Sequence, residues 1–71
     1  MFTIEYVVAR GKMQPVVVER MASAAERLVV ALNTAKSLFA KVHAERSPPP
    51  DGYQILDHAG TVVLRSWEAR P

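Results

Sequence analysis

The chain contains no cysteine in its 71 residues, which excludes disulfides and thiolate metal sites at once. Histidine is nearly as scarce, with His43 and His58 alone. Metal coordination needs three or four converging ligands. His43 is expected at the end of a helix and His58 in a turn one strand length away, roughly 15 Å by strand rise. No metal site follows, and no other cofactor is implied. The three glycines, Gly11, Gly52 and Gly60, are each accounted for by a turn, so there is no glycine-rich loop to cradle phosphate.

Long apolar runs are also missing. None approaches the roughly 20 residues a membrane helix requires. The opening residues Met1-Phe2-Thr3-Ile4-Glu5 lack the charged leader and apolar stretch of a secretory signal. The expectation is a soluble, cytoplasmic chain that does not engage membrane. Charge of one sign is lacking too: nine Lys/Arg stand against seven Asp/Glu, for a net +2. The signs alternate, as in Glu19-Arg20, Glu26-Arg27 and Glu45-Arg46, which reads as a solvated surface rather than a basic arm. Nucleic acid is allowed by this balance but not indicated.

A chain this short forms one domain, residues 1–71, and buries only about 60% of the surface its unfolded form exposes. Such thin cores commonly need a disulfide, a metal or a second subunit. With the first two excluded, a partner subunit is the remaining source of buried area.

Phe2, Ile4, Tyr6 and Val8 alternate with Thr3, Glu5 and Val7, the period of a strand with one buried face. Arg10-Gly11-Lys12-Met13 interrupts, and Val16-Val17-Val18 resumes a β-branched run to Glu19-Arg20, making a hairpin. Pro15 cannot donate to a ladder and belongs at a strand start or a sheet edge. Ser23 with Glu26 reads as a capping box, so the helix is expected from about Ala24 to Glu45. Leu28, Ala31, Leu32, Ala35, Phe39 and Val42 form its apolar stripe.

Ser47-Pro48-Pro49-Pro50-Asp51-Gly52 ends the helix. Tyr53 to Leu56 and Thr61 to Trp67 are strand-like again. Asp57-His58-Ala59-Gly60 between them fits a type I turn closed by glycine in the left-handed region, with the Asp57 side chain bonding backbone two residues on. The fold class is therefore α+β: β-β-α-β-β, a four-stranded antiparallel sheet with one helix packed on one face. Strand order 2-1-3-4 keeps Pro15 at an edge; order 1-2-4-3 is the runner-up.

No catalytic constellation emerges. The serines serve as cap, helix surface, helix end and strand, and none lies in a strand-to-helix elbow. Glu5 and Glu19 read as cross-strand neighbours facing water. The chain is read as a non-enzyme.

One helix covers one sheet face, yet Val7-Val8, Val16-Val17-Val18, Ile55-Leu56 and Val62-Val63-Leu64 place apolar side chains on both. Strands buried on two sides look like this. The expectation is a small interaction module, a homo-oligomer or the subunit of a protein partner. Its contacts would lie through the open sheet face or an edge strand, on Val7, Val17, Leu56, Val63, Arg65 and Trp67. The helix, at about 22 residues or roughly 33 Å, outruns the strands, and its end near Val42 and His43 is expected against a second subunit. The alternative is a nucleic-acid-binding domain that uses the same face with Arg10, Lys12 and Arg20, an aromatic and cations being able to stack bases and meet phosphates.

Overall fold

The computed structural model describes residues 1–9 and 14–66. Its elements run β1 (Phe2–Val8), β2 (Val16–Ser23), α1 (Leu28–Glu45), β3 (Gly52–Leu56) and β4 (Val62–Ser66). The four strands form one antiparallel sheet in the order β2-β1-β3-β4. This is the expected architecture, with Pro15 just ahead of edge strand β2.

Alternation along β1 decides which face the helix covers. Ile4 and Tyr6 lie opposite Ile55 and Tyr53 on β3, and these four side chains pack with Ala31, Ala35 and Val42 of α1 into the core. Two alanines at the contact let the helix approach the sheet closely. Leu28, Leu32, Leu38 and Phe39 close the periphery, half-buried. The Tyr6 ring lies 6.2 Å from Phe39 and 6.0 Å from Tyr53. Its hydroxyl donates to the Ala35 carbonyl at 2.8 Å, which satisfies a polar group that would otherwise be costly to bury.

The helix begins four residues later than the sequence suggests and spans 18 residues. Ser23 is not its cap. It is still in the sheet, opposite Phe2, and its Oγ accepts the Ala25 N–H at 3.3 Å, a turn within the connecting loop. Arg27 occupies the N-cap position without a side-chain hydrogen bond. Strand pairing wins because Met21, opposite Ile4, packs against the core. The expected overhang near Val42 is likewise corrected, since Val42 is buried in the core.

The proline segment is anchored rather than free. Pro50 is fully buried, and Asp51 ties the segment to β1 twice. Its N–H donates to the Val7 carbonyl at 2.8 Å, and its Oδ2 accepts the Ala9 N–H at 3.0 Å. The β3–β4 turn forms as expected. Asp57 Oδ1 accepts the N–H groups of Ala59 and Thr61, both at 2.9 Å, and Gly60 takes φ +85°, which L side chains rarely adopt.

Candidate functional site

The face of the sheet turned away from the helix was expected to carry apolar side chains, with Arg65 and Trp67 among its contacts. Its register builds something else. Opposite residues form rows across the strands, and the middle row reads Arg20, Glu5, Gln54, Arg65 from β2 to β4. This polar band crosses all four strands. On one side of it lie Ala22, Thr3, Leu56 and Val62; on the other lie Val17, Val7 and Gly52.

Glu5 is the centre of the band and is only 5% exposed. Its Oε2 accepts from Arg20 Nε at 2.7 Å and pairs with Arg20 Nη2 at 2.6 Å. Its Oε1 accepts from Gln54 Nε2 at 2.6 Å. A buried carboxylate is tolerable only when its oxygens are paired and hydrogen-bonded in this way. The Arg20 side chain itself is 65% exposed, so the pair is sunk at one end and wet at the other. A depression of about 400 Å³ opens beside it, lined by Thr3, Glu5, Arg20, Leu56 and His58 among others.

Two bulges explain why the valine runs do not simply alternate between faces. The β1–β2 register shifts between Tyr6 and Val7, leaving Val18 as the extra residue, and Val18 packs against the core. The shift also separates Glu19 from Glu5. Glu19 lies opposite Tyr6 on the helix side and pairs with Arg46 beyond the helix C-terminus. The expectation that Glu5 and Glu19 are neighbours facing water is therefore corrected. A second shift, between Ile55 and Leu56, makes Val63 the extra residue of β4.

Of the residues expected to form an interaction surface, Val7 is buried and Leu56 half-buried. Val17 is 37% and Val63 41% exposed, but they belong to opposite edge strands. Arg65 is exposed, beside Gln54 in the polar band. Trp67, and the Arg10 and Lys12 named for nucleic acid, lie outside the described residues. Arg20, the third such cation, is committed to Glu5. Sequence reasoning missed Glu5 and Gln54 as the centre of this face. A lone acid in the middle of an otherwise apolar strand was the available signal.

Tyr6 serves the core. Tyr6 has its pKa pushed up to about 12 by burial first, with Tyr53 and Glu19 adding to it. Among the described residues no three His, Asp or Glu side chains gather as metal ligands. No described helix is long and apolar enough to cross a membrane.

Exposed large apolar residues adjoin one another in two places, Val29 and Val30 in the first turn of α1 and Val16 and Val17 at the start of β2, and only the second lies on a sheet edge. Val16 is 59% exposed and Val17 adjoins it. β2 is the longest strand, at eight residues, and no strand lies beyond it among the described residues. No family model, curated protein or solved structure matches the chain.

Proposed function

We propose that the chain is a small cytoplasmic interaction module, without catalysis of its own, that self-associates by extending its sheet across edge strand β2. The observation that carries this reading is the edge itself: eight residues of strand, open on one side among the described residues, with Val16 and Val17 in water. An open edge offers a row of unpaired N–H and C=O groups and is a template for another strand. Pairing there satisfies backbone groups and covers valines in one step.

The outer sheet face supports self-association less well. Its central row is ionic, and Val7 is already buried. The same row argues against nucleic acid, because phosphate binding rests on unneutralised cations and Arg20 is neutralised by Glu5. Light scattering coupled to size exclusion tests the proposal at tens of micromolar. The expected mass is twice the 7.9 kDa of the chain, little changed by added salt. Val17→Lys, which places a charge on the edge, is expected to give a folded monomer. A monomeric mass for the parent at every concentration overturns the reading, and salt-sensitive binding to a DNA or RNA oligonucleotide would put the nucleic-acid reading in its place.

A further inference from the structure

We infer that the partner of β2 is the β2 of a second copy, antiparallel about a two-fold axis through Arg20. This rests on the edge-pairing reading above and commits it to one register. The constraint is the facing of side chains. With the axis perpendicular to the joined sheet, residues on the helix side of one copy must meet residues on the helix side of the other.

Val16, Glu19, Met21 and Ser23 lie opposite Val8, Tyr6, Ile4 and Phe2 and so share the helix side; Val17, Arg20 and Ala22 lie opposite Val7, Glu5 and Thr3 on the outer side. Centring the pair on Arg20 and passing over the extra residue Val18 matches every one of them. Glu19 meets the partner's Met21, Val17 meets the partner's Ala22, and Val16 meets the partner's Ser23. The two exposed valines thus sit against small side chains. A register shifted by one residue crosses the faces. Centring on Glu19, each copy already paired with its own Arg46, also keeps the faces but sets Val17 against Arg20 and Val16 against Met21 rather than against small side chains. Centring on Met21 pairs only the stretch from Glu19 to Ser23 and leaves both valines in water.

Arg20 then faces its own copy, and like charges opposite each other are unfavourable. Here each guanidinium already carries Glu5 on its inner side at 2.6 Å. At the seam the joined row reads Glu5, Arg20, then the partner's Arg20 and the partner's Glu5, and the charges of these four groups cancel.

The absence of native cysteine makes the register directly readable. In the Val17→Cys/Ala22→Cys double variant the two thiols of one chain lie about 13 Å apart along the strand, too far for an internal disulfide, which needs Cα atoms within about 7 Å. Across the axis each faces its complement. Mild oxidation is expected to convert the double variant to covalent dimer, while Val17→Cys alone and Ala22→Cys alone remain uncrosslinked. If the parent is dimeric by light scattering but the double variant fails to crosslink, or either single variant crosslinks, the register is wrong and edge pairing must be sought elsewhere. A monomeric parent removes the edge-pairing reading itself, and this inference with it.

Discussion

Removing Arg20 and removing Glu5 delete the same ion pair, yet the structure makes their consequences unequal. In Arg20→Ala the Glu5 carboxylate stays in its 5% exposed position with its Arg20 donors gone and Gln54 Nε2 still donating to Oε1. Stranding one partner of a fully buried pair costs about 3–5 kcal/mol; because this pair is wet at one end, about 2–3 kcal/mol is expected. In Glu5→Ala the guanidinium swings into water, where its side chain already is 65% exposed, and only the charged hydrogen bonds are lost, about 1–2 kcal/mol. The double variant strands no charge and should resemble Glu5→Ala alone, so the two substitutions couple by about 2 kcal/mol. Total stability for 71 residues is about 4–10 kcal/mol, so Arg20→Ala removes a large share of it. Urea titrations followed by circular dichroism, at one fixed protein concentration to hold any association constant, yield all four stabilities. Equal costs for the two single variants, with coupling below about 0.5 kcal/mol, would refute the buried-carboxylate argument.

Tyr6 and Phe39 supply two further tests. Tyr6 titrates near 12 in the folded chain against an ordinary value of 10, so its contribution is full below pH 10 and is lost as pH rises through 12, about 3 kcal/mol in all. Tyr6→Phe is expected to cost about 1 kcal/mol at neutral pH and to flatten the alkaline limb of the stability curve; parent and variant curves running parallel from pH 9 to 12 would count against it. Phe39 lies within 6.2 Å of the Tyr6 ring and 6.1 Å of the Tyr53 ring, so Phe39→Ala should cost about 3 kcal/mol, and unchanged thermal melting would mean that the helix turns another face to the sheet.

The parts of the fold that were legible in the sequence are those decided by residues close together. The Asp57–Gly60 turn needs one carboxylate and one glycine three residues apart, and both act as expected. The helix stripe is legible because 3.6-residue spacing fixes which side chains share a face. The helix start was not, since Ser23 followed by Glu26 is equally compatible with a cap and with a strand end that turns. Choosing between them requires knowing that Phe2 and Ile4 lie alongside to pair with Ser23 and Met21, which is long-range information.

The candidate site divides along the same line. Pro15 favoured an edge for β2 without deciding it, since a strand start suits proline equally well, and that valines would be exposed somewhere followed from their number. Where they are exposed depended on Val18. A single extra residue in β2 turns Val18 to the core, brings Arg20 rather than Glu19 against Glu5, and frees Glu19 to pair with Arg46. Alternation without the bulge puts two carboxylates side by side on the outer face. With it, the same residues make two separate ion pairs on opposite faces. Bulge positions are poorly marked when the neighbours are all valine, because any of the three can be the extra one with little change in strand propensity. What demands an extra residue among the valines is the pairing of the charges that follow them, Arg20 with Glu5 and Glu19 with Arg46, so the ionic band across the outer face and the apolar edge at Val16–Val17 are two results of one register. If that is right, deleting Val18 removes only the extra residue: Val17 stays opposite Val7, Glu19 stays opposite Tyr6, and every other pair of β1 and β2 keeps its face. The deletion is therefore expected to keep both the coupling between Glu5 and Arg20 and the dimer while losing the packing of Val18 against the core, and loss of that coupling in the deletion variant, measured by the same urea titrations, would refute the register.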